Sequence, residues 1–188
     1  MKRIVVFASG SGTNAQNIIE YFQNSDFAEV TLVLSNKKNA KVLERAKNLN
    51  VPSISFTKED FRDSDNVLII LKNEFPDLIV LAGFLWKFPE SILNVFPNKI
   101  INIHPALLPK YGGKGMYGSH VHESIIKNKE TETGITIHYV NENYDEGAVI
   151  FQKKVMLSER DSAVSVAEKV HQLEYEFFPK IIEEVLKK

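Results

Sequence analysis

The stretch RIVVFASGSGTN, Arg3 to Asn14, decides the fold of this 188-residue chain. Its first part, Arg3–Ala8, is continuous and β-rich, with every residue after Arg3 apolar, which is typical of a strand covered on both faces. The run passes directly into a glycine turn, and Thr13–Gln23 then places apolar side chains at helical spacing. A buried strand, a tight turn and a helix predict the first unit of an α/β fold.

The same alternation continues through the first half of the chain. We predict further strands at Val30–Leu34, Ser53–Phe56, Leu78–Ala82 and Lys99–Ile103, and helices near Ala40–Leu49, Ser64–Glu74 and Pro89–Phe96. Because strands alternate with helices, we expect a doubly wound, mostly parallel, Rossmann-like sheet with right-handed crossovers.

The pattern changes after His104. A glycine-rich loop at Tyr111–Ser119 and a helix at His120–Lys127 come first. Two strands follow, at Gly134–Val140 and Ala148–Met156, and we expect them to extend the sheet as an antiparallel C-terminal addition. Ser162–Lys187 predicts a long helix on the sheet, with Pro179 as a kink or break. We find no linker, and we expect residues 1–188 to form one domain.

Composition excludes several classes of site. The chain has no cysteine, which excludes disulfides, thiolate metal centres and a cysteine nucleophile, and is compatible with a reducing compartment. Its 23 basic and 24 acidic residues are intermixed, with a formal net charge of −1, so neither nucleic acid nor a membrane surface is the expected partner. No apolar run reaches the ~18–20 residues of a membrane span.

The glycine loop after the first strand, Ser9–Asn14, predicts a phosphate site. Glycines allow a tight turn and close approach of a ligand, and the following helix begins with unpaired N–H groups, with Thr13 or Asn14 as its cap. A tight turn without a ligand is the alternative. A dinucleotide is disfavoured because the second strand ends in Ser35–Lys38 without a carboxylate, and the Gly-Lys-Ser/Thr ending of a P-loop is missing.

A second polar group lies where Lys99–Ile103 ends. Alternation places Asn102 and His104 on one face, at the strand end where doubly wound sheets bind ligands. An amide and an imidazolium are suitable donors to an oxyanion. Asp145, in the loop between the last two strands, is expected to orient His104 and raise its pKa. The alternatives are a polar strand end and an ordinary turn aspartate, and His138 is interpreted as a core histidine or one supporting the site.

The spacing His120-x-His122, together with His104 and His138, suggests a metal site as a rival, because imidazoles are ligands of zinc. No carboxylates at metal-ligand spacing accompany these histidines, so we predict no metal.

Several longer segments together resemble the phosphoribosylglycinamide formyltransferase family, the folate-dependent formyl transferases of purine biosynthesis. The segments are SGSGTN (9–14), SNKKNAKVLERAKNLNVP (35–52), DLIVLAGFLWKFP (77–89), INIHPALLPKYGG (101–113) and TGITIHYVNENYDEGAVIFQKKV (133–155). They occur in the family's order over essentially the whole chain. The departures are a longer loop with the insert Gly112–Gly118, and Trp86 where many relatives carry a basic residue.

The resemblance implies a formyltransferase fold, a phosphate-binding half (1–100) and a catalytic and folate half (101–188), and the following roles for single residues. The implied catalytic residues are Asn102, His104 and Asp145. The residues implied to bind the phosphoribosylglycinamide substrate are Gly12, Thr13, Asn14, His171 and Glu174. The residues implied to bind the folate are Leu85, Trp86, Lys87, Phe88 and Asn102. The residues that hold the folate glutamate tail stay unassigned. The implied co-substrate is 10-formyltetrahydrofolate, without a metal.

The expected enzyme transfers a formyl group to 5-phosphoribosylglycinamide in the cytoplasm, as a monomer or homodimer whose partners are small molecules. Two relatives of the same fold are alternatives. A methionyl-tRNA formyltransferase is expected to carry a further RNA-binding domain and more positive charge, and a formyltetrahydrofolate hydrolase is expected to carry a regulatory domain. A ligand sensor without activity is disfavoured by the three catalytic residue types.

Overall fold

Seven strands form one sheet in the order β3-β2-β1-β4-β5-β6-β7 in a computed structural model that describes residues 1–188. The strands are β1 (Lys2–Phe7), β2 (Ala28–Ser35), β3 (Ser53–Ser55), β4 (Leu78–Leu81), β5 (Ile100–His104), β6 (Glu132–Tyr139) and β7 (Val149–Met156). The first five pair in parallel, whereas β6 pairs antiparallel with both β5 and β7. The predicted doubly wound sheet with an antiparallel addition is confirmed.

Helices cover both faces of this sheet. Helices α1 (Thr13–Phe22), α2 (Lys41–Asn48) and α7 (Ala163–Leu186) pack on one face, and α3 (Lys58–Arg62), α4 (Asn66–Glu74) and α5 (Glu90–Leu93) on the other, while α6 (Ser119–Lys127) lies against α7. Strand β1 supplies both layers because its side chains alternate: Ile4 and Val6 join the first core, and Val5 and Phe7 join the second. All four are fully buried.

Two helix predictions differ from the structure. The segment before β4 holds two helices rather than one, because Thr57 and Asp60 form a capping box that starts the additional helix α3. The Asn66 side chain, which belongs to the first turn of α4, donates to Asp60 Oδ1 and fixes the turn between the helices. Helix α5 is a single turn, Glu90–Leu93, shorter than the predicted Pro89–Phe96.

The long C-terminal helix is confirmed, but it does not break at Pro179. Proline removes the N–H that would bond to the carbonyl four residues earlier, which is that of Tyr175. The Asn17 side chain on α1 donates to this carbonyl at 2.9 Å. An interhelical hydrogen bond thus replaces the lost helical one, and α7 continues to Leu186. No helix of the structure combines the length and apolarity that crossing a membrane requires.

Candidate active site

A cavity of about 820 Å³ opens at the carboxyl ends of β1, β4 and β5. Its walls are the glycine loop after β1, residues 82–85 after β4, residues 102–105 at the end of β5, the 113–119 loop, and parts of α6 and α7. Strand β1 lies between β2 and β4, so the cavity occupies the switch point where the strand order reverses. Its size is typical of small-molecule sites.

The glycine loop presents an uncapped helix end to this cavity. Helix α1 starts at Thr13 after Gly12, whose φ of 74° is left-handed, and no side chain caps the helix. The expectation that Thr13 or Asn14 caps α1 is therefore wrong: both lie in its first turn. Gly12 is required twice, because its φ favours glycine and because a Cβ there would overlap Val42. The free first-turn N–H groups and the helix dipole make this end suitable for an anion.

Glu174 joins the two helices on this side of the cavity. Its Oε2 accepts from Asn14 Nδ2 at 2.9 Å and from His171 Nδ1 at 2.8 Å, and only 4% of the residue is exposed. The hydrogen bond to Glu174 raises the pKa of His171 above its ordinary value, outweighing the opposite effect of burial. The structure thus brings together Asn14, His171 and Glu174, which are far apart in sequence.

His104 lies between two acceptors. Its Nε2 is 2.7 Å from the carbonyl oxygen of Tyr111, and because a carbonyl only accepts, Nε2 carries a proton. Its Nδ1 is 3.5 Å from Asp145 Oδ2. The imidazolium form therefore faces an acceptor on each side, whereas in the neutral form the Nδ1 lone pair faces the carboxylate.

The Asp145 charge acts to raise the pKa of His104, as expected, but it does not decide the pKa in the free protein. Burial lowers this pKa below its ordinary value, and the opposing effects of the Asp145 charge and the Tyr111 carbonyl do not compensate. The sequence identified the carboxylate but gave no measure of how deeply the imidazole lies, and only 3% of His104 is exposed.

Asp145 is fixed by a backbone group of the insert. Its Oδ2 accepts from the Gly113 N–H at 2.9 Å, and its backbone is left-handed, with φ 57°. Burial tends to raise the pKa of Asp145, but contacts with His138, the charge of His104 and the Gly113 amide outweigh it and hold the pKa below its ordinary value. Asp145 is therefore a carboxylate near neutral pH.

His138 orients the Asn102 amide. His138 Nδ1 donates to the carbonyl of Tyr139 at 2.8 Å, so in the neutral ring Nε2 is an acceptor, and it accepts from Asn102 Nδ2 at 3.1 Å. The same Nε2 is 3.7 Å from Asp145 Oδ1. His138 therefore supports the site, and the second N–H of the Asn102 amide is left for another acceptor.

The remaining histidines do not converge on a metal site. His120 is exposed and lies 3.8 Å from Glu123, whereas His122 is buried in the cavity wall. No group of three or more histidine, cysteine or acidic side chains is arranged to hold a metal ion.

Comparison with known proteins identifies the family that this architecture belongs to. The profile of the family described as "Formyl transferase" matches residues 2–182. The chain is a member of the formyl transferase family. Its similarity to individual members extends over nearly all of its length.

Among sequences, this formyl transferase is 37% identical over 187 residues to a phosphoribosylglycinamide formyltransferase of Haemophilus influenzae, covering 97% of this chain and 86% of that protein. It is 35% identical to a chloroplastic enzyme of the same name from Arabidopsis thaliana, covering 96% of this chain but 64%, less than two thirds, of that protein. Among structures, glycinamide ribonucleotide transformylase 1 from Geobacillus kaustophilus matches with a TM-score of 0.89 and 37% identity, covering 99% of both chains.

The residues predicted for folate lie in two environments in this formyl transferase. Leu85 lines the cavity, and its N–H donates to Ser9 Oγ at 3.0 Å. Trp86, Lys87 and Phe88 are not among the lining residues. The Phe88 ring is buried edge-on to Phe7 at 5.0 Å between ring centres, so its side chain belongs to the core.

Trp86 is half-buried beside the aromatic rings beneath the loop. Its ring centre is 6.1 Å from that of Phe56, 6.0 Å from that of Phe61 and 6.3 Å from that of Phe84, which lines the cavity. Trp86 is thus one ring away from the cavity.

Three contributors to the site were not assigned from the sequence. Tyr111 and Gly113 act through backbone groups, which no residue-type pattern signals. His122 was considered only as a metal ligand. Its position three residues before the apolar Ile125 and next to Val121, which is four before Ile125, could have marked it as inward-facing.

Proposed function

We propose that the chain transfers the formyl group of 10-formyltetrahydrofolate to the amine of 5-phosphoribosylglycinamide, a one-carbon transfer in de novo purine (IMP) biosynthesis. The names of its relatives support this activity. The observation that carries it is that Asn102, His104 and Asp145 line the same cavity, which also receives an uncapped helix end. His104 Nδ1 lies 3.5 Å from Asp145, and His138 contacts both Asn102 and Asp145. A phosphate site and an acyl-transfer site thus share one cavity.

Each end of the ribonucleotide has a counterpart in the wall. The phosphate would accept hydrogen bonds from the backbone of Gly12, Thr13 and Asn14, where the helix dipole favours an anion. The ribose hydroxyls would bind to Glu174, which His171 and Asn14 hold in place. The folate would approach along Leu85, with the half-buried Trp86 behind Phe84 and with Lys87 and Phe88 completing the loop.

The reaction begins when the amine nitrogen attacks the formyl carbon. A C–N bond forms, and the electron pair of the C=O bond moves to oxygen. The free N–H of Asn102 would donate to this oxyanion, and the positive charge of protonated His104 would stabilise it, while Nε2–H is bonded to Tyr111 and Nδ1 faces Asp145. Removing one such donor typically lowers the rate by about 10²–10³.

Collapse of the intermediate releases tetrahydrofolate. Asp145, a carboxylate near neutral pH, accepts the proton that the attacking nitrogen loses and returns one, directly or through water, to the folate nitrogen as its C–N bond breaks. The charge of the oxyanion also favours the imidazolium form of His104, which burial disfavours in the free protein. His104 therefore gains its proton as the oxyanion forms, which is the step at which the imidazolium charge is needed.

We further propose that residues 1–188 act as one formyl transferase domain. Both predicted halves supply the cavity: the glycine loop and Leu85 come from 1–100, and the catalytic residues and Glu174 from 101–188. The remaining proposals follow from the activity. We propose a cytoplasmic enzyme that acts as a monomer or homodimer. Its partners are small-molecule substrates, and neither nucleic acid nor a membrane is among them.

A direct assay tests the function. Purified protein, the ribonucleotide and a 10-formyl folate should together increase the absorbance of the deformylated folate, and omission of the ribonucleotide should abolish the signal. His104→Asn should lower turnover by about 10²–10³, whereas His120→Asn, an exposed histidine outside the cavity, should retain it. Formate release without the ribonucleotide would identify a formyltetrahydrofolate hydrolase. Formyl transfer only to charged tRNA would identify a methionyl-tRNA formyltransferase.

A further inference from the structure

One buried histidine of the cavity has no role in the proposed reaction. His122 on α6 lines the cavity with only 4% of its surface exposed. Its Nδ1 is fully buried and has no hydrogen-bond partner in the protein. Its Nε2 is not fully buried, so it is the ring nitrogen that a ligand in the cavity can reach. Buried polar groups are nearly always paired, because an unpaired one loses its hydration without compensation. A polar partner from a ligand would satisfy this ring.

The insert helps to hold this ring in place. Met116 packs against a small apolar cluster of Ala106, Val121 and Ile125, and the latter two lie on α6 beside His122. All three cluster residues are fully buried. The histidine therefore sits on a helix whose inner face is anchored, rather than on a free loop.

The surroundings of His122 indicate which part of a ligand it meets. Burial lowers its pKa below the ordinary value, the charges of His171 and His104 lower it further, and Glu174 opposes them. The ring is thus neutral near pH 7, with one donor and one acceptor nitrogen. The ring lines the same cavity as Glu174, at the proposed ribose site, and His104, at the reacting end.

We propose that His122 is a further substrate-binding residue that hydrogen-bonds the glycinamide group of the ribonucleotide. This inference rests on the proposed function. The glycinamide connects the ribose to the attacking amine, and its amide offers both an N–H donor and a carbonyl acceptor. A neutral imidazole matches such an uncharged group, whereas the phosphate already has the helix end.

Calorimetry on matched variants tests the contact. His122→Leu should weaken binding of the ribonucleotide about tenfold, which corresponds to one hydrogen bond to a buried group. Ribose 5-phosphate, which lacks the glycinamide, and a folate analogue should each change less than twofold. His122→Gln, whose longer amide retains a polar atom near the Nε2 position, should recover most of the loss. His120→Leu, the same change at an exposed position of the same helix, should have no effect.

A stability measurement separates binding from packing. Because Leu replaces an unpaired buried group by an apolar one, the melting temperature of His122→Leu should be equal or higher. Equal losses for the ribonucleotide and ribose 5-phosphate, or an unchanged ribonucleotide affinity, would overturn the inference alone. A wild-type protein with no preference for the ribonucleotide over ribose 5-phosphate would overturn the proposed function, and the inference with it.

Discussion

Gly10→Asp would place a negative charge at the proposed phosphate site without disturbing the fold. Gly10 lines the cavity, and a Cβ built there meets no atom within 4 Å. Gly12 is unsuitable for this purpose, because a side chain there would overlap Val42 and occupy a left-handed backbone. Gly12→Asp should therefore reduce stability and the affinity for both ligands, whereas Gly10→Asp should change only the charge.

Coulomb's law gives the expected size of the effect. A carboxylate about 5 Å from a dianionic phosphate is repelled by about 1.7 kcal/mol at the dielectric constant of water and about 6.6 kcal/mol at an effective value of 20. The lower figure corresponds to a loss of affinity of about 17-fold. The loop borders an open cavity, and salt screens exposed charges, so we expect a loss near the lower figure.

Calorimetry with each ligand separately provides the measurement. Gly10→Asp should weaken the ribonucleotide at least tenfold, leave a folate analogue unchanged, and lose part of its effect as salt is raised. Gly10→Asn, which has nearly the same shape but no charge, is the matched control and should bind nearly as wild type does. An unchanged ribonucleotide affinity in Gly10→Asp would show that the phosphate binds elsewhere, and equal losses in both variants would show that shape rather than charge is responsible.

Three further predictions concern other parts of the structure. Asp145→Asn removes the charge that raises the pKa of His104. In the pH–rate profile, the limb on which activity falls with rising pH should therefore move to lower pH. An unchanged profile at full activity would contradict the assigned role of Asp145. Trp86 is the only tryptophan of the chain, so its fluorescence can be followed directly. That fluorescence should show saturable quenching or a spectral shift with a 10-formyl folate analogue, and little change with the ribonucleotide. Folate binding seen by calorimetry without a change in emission would remove Trp86 from the folate site. Asn17→Ala should lower the free energy of unfolding by about 1 kcal/mol in denaturant titrations, because the Tyr175 carbonyl loses its donor, whereas no loss would mean that solvent replaces the amide fully.

The order of strands and helices was predictable because apolar periodicity reflects which faces are buried, and that periodicity is strong in β1 and α7. Asn102 and His104 could be selected because they lie at the end of a buried strand, at the ligand-binding edge of the sheet. Asp145 could be selected from its place in the loop between the last two strands and from the family resemblance. The sequence predicted a long C-terminal helix but left open a break at Pro179, since the contact that compensates for this proline comes from a side chain of α1. Local patterns do not contain such contacts between distant segments.

The net direction of the His104 pKa shift was not predictable from the sequence for a related reason. A nearby carboxylate can be inferred from a motif, but desolvation depends on all atoms packed around the ring. The same limit applies to Phe88, whose place next to folate-associated residues in sequence did not reveal that its ring points into the core.

The two backbone contacts made by the loop after β5 have a consequence for protein engineering. The Tyr111 carbonyl and the Gly113 N–H bind His104 and Asp145, so exchanging the Tyr111 side chain deletes neither bond. Alanine at Gly113 keeps the N–H but strains the backbone, whose φ is 93°, so its effect would not report on the bond alone. Amide-to-ester replacement at Gly113, which removes the N–H but keeps the chain path, would delete the Asp145 bond alone. A loop transplanted from another enzyme would have to reproduce a chain trace rather than a set of residue types.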